Sequence, residues 1–486
     1  MIVNRETMIR IEQSSGLDTV TLMERAGAAL AAAIDAETGN NSNILILCGK
    51  GNNGGDGLVA ARYIKHGHVK VMLIDGTVKT DAAKLNLDLL PSDMFINKDD
   101  FEEAVSKADV IVDCVYGFSY HGRLKPEIAQ MFRQINSMNN KVISADINSG
   151  CEADTGYADP DAIESDLTCA LDCFKPFHML KKDHHKFREC KVLSLSLPHP
   201  EPSIFKEMNE VIFFNSFARK EDNSYKNTFG QILLAGGGYG MAGALGLNIT
   251  GARAAGASYI HVVLDNSIYP VLASRFLTPV YHPVKDHPEE VILPLLKHVR
   301  ACAFGSGSVS FPDKEKALEE ILKNADCPVV LDAEALHLLS FNKEYLKETH
   351  TDVILTPHIG EFSALTGLSA SEINANKISH ASSYARENHV IVVLKGSHTI
   401  AASPEGEIYI NQSGCQALAQ AGSGDVLAGM ITAVLPHQKD VFKAVCMAVW
   451  LHGFLSESSQ HNHSMQCFPL EDLPAISDTL FRKHGF

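Results

Sequence analysis

One stretch restricts the possible folds more than any other. An apolar run, Ile44 to Cys48, passes directly into Cys48-Gly49-Lys50-Gly51-Asn52-Asn53-Gly54-Gly55-Asp56-Gly57 and then into a helical segment. A strand that ends in a glycine-saturated turn and continues as a helix predicts an α/β sheet, with the free amides of the helix start facing a ligand. The glycines are expected to supply positive φ and close approach of the backbone to a phosphate or sugar. Asn52, Asn53 and Asp56 add side-chain acceptors that a purely structural turn does not need. A second glycine turn, Ala235 to Ala244, and a late Gly422-Ser423-Gly424-Asp425 predict more than one such site.

Short β-rich runs alternate with helical ones around the first turn. Ile44–Cys48, Val69–Ile74, Val110–Asp113 and Val142–Asp146 are the strand candidates, a rhythm that predicts a parallel sheet flanked by helices. The preceding Thr19–Ile34 is Ala-rich with helical apolar spacing, fit to pack on a sheet or to serve as the dimer face of a homo-oligomer. A polar passage, Lys181 to Lys191, and prolines at 198, 200 and 202 then interrupt regular structure. A new alternation follows at Gln231–Ala235, Ile260–Asp265, Ala301–Gly305, Pro328–Asp332, Val353–Leu355 and Val390–Lys395. With 486 residues the chain exceeds what one core usually serves. Two domains are expected, 1–215 and 216–486: a Rossmann-like three-layer α/β/α sandwich and a second α/β/α domain.

A formal charge of −16 argues against a broad footprint for nucleic acid or anionic lipid. No basic n-region with an apolar h-region and no bilayer-length apolar run is present, so a soluble, cytoplasmic chain with no membrane partner is expected. Eleven cysteines without CxxC pairing read as reduced thiols, mostly core filler.

Gly49, Gly51 and Gly54 fit GxGxxG, as do Gly238, Gly240 and Gly243, and Asp75 and Asp265 end the following strands. Alone, that pattern would indicate a dinucleotide-binding dehydrogenase. The added Asn-Asn and Asp argue otherwise, because pyrophosphate binding does not require them. Asn52, Asn53, Asp113 and Ser149 are short oxygen donors at predicted strand ends, where they either hold a hard cation or cap helices and turns. Their company with Asp113-Cys114-Val115-Tyr116-Gly117-Phe118-Ser119 and Asp146-Ile147-Asn148-Ser149-Gly150 favours the first reading.

On these motifs the first 210 residues resemble the NAD(P)H-hydrate epimerase family, marked by a GxGNNGGDG loop, a DxxFG-type turn and a DIPSG turn. The resemblance implies that Asn52, Asn53, Gly54, Gly55 and Asp56, with Gly117, Phe118, Ser119, Tyr120, His121, Gly122 and Arg123, line the hydrated nicotinamide nucleotide. It also implies that Asn53, Asp113 and Ser149 bind K⁺, and that Asp146 faces the substrate and moves a proton. Two departures stand out, Tyr116 for phenylalanine and Asn148 for the proline of DIPSG. Without the proline ring φ is no longer fixed, which predicts a looser turn with weaker potassium binding or slower epimerisation.

In the second half, Asp425 follows small residues that open a helix whose amides can receive an anion. A carboxylate there also interacts favourably with the helix dipole, by about 0.3–1 kcal/mol. Lys395-Gly396-Ser397-His398-Thr399 and Thr356-Pro357-His358-Ile359-Gly360-Glu361 end two strands that should converge on the same edge. From Tyr225 onward this half resembles the ribokinase-like superfamily, and within it the nucleotide-dependent NAD(P)H-hydrate dehydratases. Lys226 to Gly230, Gly240 to Ala244, Leu331 to Leu336 and the TPHxGE, KGxxT and GSGD turns carry the likeness. The resemblance implies that Lys395, Gly396, Ser397, His398, Thr399 and Gly424 hold the adenine nucleotide, with Ala244, Gly307, His358 and Asp425 at the hydrated substrate. Departures are Tyr225 for histidine, Gly305-Ser306-Gly307 for GPG, Glu334 for aspartate and Ala421 for a glycine.

The joint expectation is repair of hydrated nicotinamide cofactors. An epimerase interconverts R- and S-NAD(P)HX. A dehydratase, with Asp425 as general base and Mg²⁺ beside the phosphoryl donor, phosphorylates the S form and eliminates phosphate, ADP giving AMP and phosphate with ATP as the other donor. Three rivals are a dehydrogenase, a ribokinase-like small-molecule kinase with a non-catalytic N-terminal binding domain, and a first domain that has kept its fold only as a binding or assembly module.

Overall fold

The computed structural model describes residues 1–199, 202–460 and 463–486, so Pro200 of the proline cluster falls outside it. The chain divides into two compact units, Met1–Phe205 and Lys206–Phe486, a division earlier than residue 215. The physical reason is the helix Glu210–Ser216, whose Phe213 and Phe214 are buried in the core of the second unit, Phe213 lying 5.1 Å from Trp450 between ring centroids.

The first unit is a Rossmann-like α/β/α sandwich. Its strands are β1 (Asn43–Cys48), β2 (His68–Leu73), β3 (Val110–Cys114), β4 (Lys141–Ala145), β5 (Ser165–Leu171) and β6 (Phe187–Leu193). They form one sheet in the order β2-β1-β3-β4-β5-β6, every pairing parallel. Connections leave β1 toward β2 on one side and β3 lies on the other, so the crevice past the carboxyl ends of β1 and β3 is a switch point where ligands bind in open α/β sheets. The polar passage Lys181–Lys191 contains the start of β6. Its charged residues are tolerated because β6 is an edge strand, with only Phe187 fully buried.

The second unit has the ribokinase-like α/β/α architecture. Its sheet comprises β7 (Phe205–Lys206), β8 (Ile232–Gly236), β9 (Ile260–Asp265), β10 (Val280–Val284), β11 (Ala301–Phe304), β12 (Val329–Leu331), β13 (Val353–Leu355), β14 (Ile391–Leu394), β15 (Ile400–Ala402) and β16 (Ile408–Ile410). The order is β10-β9-β8-β11-β12-β13-β14-β15-β16-β7. Neighbours from β10 through β14 run parallel, and β14, β15 and β16 form an antiparallel edge. Here the switch point falls between β8 and β11, beside the turns that begin at Gly236 and Gly305. Among the described residues no helix is long and apolar enough to cross a membrane.

Candidate active sites

In the first unit the glycine loop closes β1 and opens the helix Asn52–Tyr63. None of Gly49, Gly51, Gly54, Gly55 and Gly57 has positive φ, which corrects the expectation that they bend the backbone. They permit close packing instead. A methyl group on Gly49 would lie 2.0 Å from the Val115 carbonyl oxygen, and one on Gly54 would lie 2.0 Å from that of Gly49. The helix start is thereby pressed against the end of β3.

That contact shapes a cavity of about 520 Å³ lined by Glu12, Asn52, Asn53, Asp56, residues 115–121, Asp146 and Lys175. Gly54 and Gly55 lie buried beneath it. Gly122 and Arg123 are not among its lining residues. Arg123 faces a separate depression with Arg133, Tyr157 and Asp161.

Asp146 sits just past β4 with φ 59, a strained conformation for a residue with a side chain. Its Oδ1 accepts from Lys175 Nζ at 2.6 Å and from the Leu171 amide at 3.3 Å, and its Oδ2 accepts from the Phe118 amide at 3.1 Å. The Lys175 side chain is fully buried and also donates to the Leu171 carbonyl at 2.8 Å. Burial and Lys175 hold His178 down at about 4, so its neutral ring accepts from the Lys175 amide through Nδ1 and meets the Asp146 carbonyl through Nε2. Burial and Asp146 push the Glu12 carboxyl up to about 7, and burial with the Asp146 and Glu12 charges keeps Asp56 well above the usual carboxylate range. The cavity thus sets three carboxyl groups around one buried ammonium.

Asn53, Asp113 and Ser149 gather around the turn that follows β3. Asp113 is fully buried; its Oδ1 accepts from the Ser149 hydroxyl at 2.5 Å, and its Oδ2 from the Ser149 amide at 2.9 Å and the Ser144 hydroxyl at 3.0 Å. Ser149 Oγ in turn accepts from the Tyr116 amide at 2.8 Å. Both polar atoms of the Asn53 side chain are buried without a hydrogen-bond partner, beside Gly117. The unpartnered Asn53 Oδ1, with the Asp113 carboxylate and the Ser149 hydroxyl on the adjoining turn, supplies hard oxygens of the kind that fit a cation such as K⁺.

The Asn148 turn is not loose. Its buried side chain donates to the Ile163 carbonyl (3.0 Å), Ser165 Oγ (3.0 Å) and the Lys186 carbonyl (2.8 Å), and accepts from Thr168 Oγ1 (2.5 Å). Hydrogen bonds replace the rigidity that a proline ring would supply.

In the second unit, Gly422 (φ 91) caps the helix Ser423–Val434, and Asp425 lies in its first turn. Lys395, past β14, donates to Asp332 Oδ1 at 2.8 Å and lies 3.9 Å from Glu361 Oε2. A methyl on Gly424 would lie 3.0 Å from Lys395 Nζ, so the ammonium hangs over the helix start. Burial tends to lower the Lys395 pKa, but Asp332 and Glu361 outweigh it and raise it. Burial, then Asp332, pushes Asp425 up to about 6, against opposing terms from the Ser306 hydroxyl and Lys395. Gly307 (φ 67) abuts Ala244, where an added methyl would come within 3.0 Å of the Ala244 Cβ. His358 caps the helix Ile359–Thr366, its Nδ1 accepting from the Gly360 and Glu361 amides while most of the ring stays exposed. Gly396 and Ser397 are exposed, whereas the His398 ring is buried against the Asn411 carbonyl at 2.9 Å. Asp332 and Glu361 thus bring two carboxylates beside the Lys395 ammonium.

The sequence reading passed over Glu12 and Lys175. The one local signal for Lys175 was a lysine set between Phe174 and Pro176 at the end of an apolar strand. The Rossmann acidic residues have other work: Asp75 pairs with Lys125 and Lys50 at 2.5 and 3.3 Å, and Asp265 caps a short turn through the Ser267 amide.

The family described as NAD(P)H-hydrate dehydratase matches residues 232–478, and that described as YjeF-related protein N-terminus matches residues 19–177. The bifunctional NAD(P)H-hydrate repair enzyme Nnr of Thermofilum pendens is 30% identical over 91% of this chain and 88% of its own. Its namesake in Moorella thermoacetica is 28% identical over 94% and 91%. Among solved structures, an ADP/ATP-dependent NAD(P)H-hydrate dehydratase from Bacillus subtilis, co-crystallised with ATP and Mg²⁺, aligns with a TM-score of 0.50 and 29% identity, covering 57% of this chain and 97% of that one. A ribokinase-like protein of Enterococcus faecalis, 20% identical with a TM-score of 0.51 over 58% and 98%, shares the fold.

Proposed function

The chain belongs to the bifunctional NAD(P)H-hydrate repair enzymes, and from that membership we propose how its residues divide the work. The enzyme epimerises R- and S-NAD(P)HX and dehydrates the S form at the expense of a nucleotide. The observation that carries the assignment is the meeting of Asp425, Lys395 and the Gly424 helix start at one sheet edge.

Hydroxide leaves poorly, so the ring hydroxyl is first esterified. Asp425 takes the hydroxyl proton as the oxygen bonds to the terminal phosphorus of ADP, and the P–O bond to AMP breaks with its electron pair. The amides at Ser423 and Gly424 and the Lys395 ammonium stabilise the phosphoryl oxygens. Phosphate then departs with the C–O electron pair, the neighbouring carbon loses a proton and the ring double bond returns. Asp332 and Glu361 would hold Mg²⁺ beside the phosphates, where it would supply neutralisation of the donor charge.

Hydration of an enamine places the hydroxyl on the carbon beside the ring nitrogen, so epimerisation needs a base at that hydroxyl and an acid at the nitrogen. Asp146, paired with Lys175, is the base and Glu12 the acid. A carboxyl held up to about 7, as Glu12 is, keeps its proton available for the nitrogen. Asn53, Asp113 and Ser149 would hold K⁺, which would brace the turn presenting Asp146.

The test is to supply purified R- and S-NADHX separately with ADP or ATP and follow the near-ultraviolet absorbance of the reduced ring. Recovery of NADH from S alone when Asp146 is replaced, and from both in the native chain, is expected. A stable phosphorylated product without NADH would favour a small-molecule kinase and overturn the reading.

A further inference from the structure

A third cluster of reactive side chains is used by neither site. β5 ends at Leu171, and the next residue, Asp172, has φ 60. In an extended strand neighbouring side chains point to opposite faces. The left-handed residue cancels that alternation, so Asp172 and Cys173 both reach His199, and one ligand atom from each lies within 4.8 Å of the others. Cys173 Sγ is 3.8 Å from Asp172 Oδ2 and 3.7 Å from His199 Nδ1, while His199 Nε2 is 3.0 Å from Asp172 Oδ2.

We propose that Asp172, Cys173 and His199 form a binding site for a borderline divalent cation of the Zn²⁺ class. A tetrahedral ion with metal–sulfur and metal–nitrogen distances of about 2.3 and 2.0 Å has sulfur-to-nitrogen edges of roughly 3.5 Å. The observed sulfur separations are within a few tenths of an ångström of that. Asp172 Oδ1 accepts from the Leu195 amide at 2.9 Å, an outer contact that orients the carboxylate, and Oδ2, paired here with His199 Nε2, turns to the ion as the imidazole offers Nδ1. Asp172 and Cys173 are buried and His199 is exposed, so the imidazole side is the entry path and leaves room for water as fourth ligand. The thiol gives its proton to solvent when the ion binds. Burial and Asp172 hold that thiol up at about 11, and a nearby dication reverses the balance. A thiolate ligand sets this site apart from those for K⁺ and Mg²⁺, which prefer oxygen. An Asp–His hydrogen bond with a bystander cysteine is the competing description.

The full chain, in buffer containing K⁺ and Mg²⁺, should be titrated with Co²⁺ as probe. One Co²⁺ per chain is expected, with tetrahedral d–d absorption and a thiolate-to-cobalt charge-transfer band that Zn²⁺ abolishes by displacement. Cys173→Ser should remove the band, and His199→Ala should weaken binding at least tenfold. Cys467→Ser, at the exposed cysteine, should change nothing. Should either variant lose its native circular dichroism, Asp172→Asn, which keeps a carbonyl oxygen for the Leu195 amide, must still weaken uptake at least tenfold. Absence of a thiolate band, its persistence in Cys173→Ser, or native-strength uptake by Asp172→Asn would overturn the proposal.

Discussion

Asp425→Asn is expected to abolish dehydration while making the C-terminal unit more stable at neutral pH. The folded protein raises the Asp425 carboxyl from 3.8 to about 6, so ionising it costs about 3 kcal/mol more in the fold than in the unfolded chain. The sign follows from proton linkage: the folded state binds this proton more tightly, so the penalty is absent below about pH 4, grows as pH rises and is complete above about pH 6. Asparagine has no such penalty. The pull of the Ser306 hydroxyl and of Lys395 is already contained in that shift, so the net gain at pH 7 is about 2–3 kcal/mol. Lys395 is not stranded by the change, because Asp332 and Glu361 remain beside it at 2.8 and 3.9 Å. For a unit of this size the gain corresponds to roughly 4–8 °C in Tm. Loss of the general base should lower kcat by about 10²–10⁴. Calorimetry of both proteins from pH 4 to 7, with NADH recovery from S-NADHX in parallel, reads both quantities. A Tm difference that does not open between pH 4 and 6, or a variant less stable than the native protein at pH 7, would refute the electrostatic argument. Undiminished turnover would refute the catalytic one.

Glu12→Gln should slow epimerisation by about 10²-fold with dehydration of S-NADHX untouched; the native epimerase rate should fall above about pH 7, as Glu12 loses its proton, and the variant should lack that limb. Asn148→Ala takes the side-chain donor from the buried Ile163 carbonyl and one of two donors from the Lys186 carbonyl, which keeps the Ser165 amide, at a cost of about 1–3 kcal/mol; thermal unfolding of the N-terminal unit should report it, and the K⁺ needed for half-maximal epimerisation should rise. Asn148→Pro should cost as much, since a ring supplies no donor to those groups. Gly424→Ala places a methyl 3.0 Å from Lys395 Nζ, so the nucleotide KM in dehydration should rise about tenfold with epimerisation unchanged; an unaltered KM would remove Lys395 from the phosphate site.

Much of this architecture was legible because buried parallel strands are written as continuous apolar runs. β1, β2, β3 and β4 begin and end within one residue of the runs that announced them. β6 was hidden because an edge strand tolerates Arg188, Glu189 and Lys191; β15 and β16 went unread although β12 and β13, no longer, were announced by their apolar runs. The glycines at 49 and 54 signalled the right loop for the wrong reason: Gly54 makes room for the Gly49 carbonyl within the loop, and Gly49 for the Val115 carbonyl, which lies more than sixty residues on and leaves no local mark. Gly307 and Gly422 do adopt the positive φ expected of such turns. Lys175 and Glu12 escaped notice for the same kind of reason as Gly49. Each is an ordinary residue in its own element, and only the sheet order brings them to Asp146.

The two sites share one electrostatic arrangement, and it carries a consequence for binding. Glu12, Asp56 and Asp146 surround Lys175 in one; Asp332, Glu361 and Asp425 surround Lys395 in the other. Both face polyanionic ligands, on a chain of formal charge −16. Attraction must therefore come from short-range donors, namely helix-start amides, one ammonium and the bound cation, while the long-range field repels. Screening acts on the long-range part first. With Mg²⁺ and K⁺ saturating, raising ionic strength with choline chloride should increase kcat/KM for the nucleotide a few-fold before it weakens contacts at the site. Enzymes that steer anions with a basic surface show the opposite slope from the lowest salt onward, and a monotonic fall of that kind here would mean that the cation-dependent picture of these pockets is wrong.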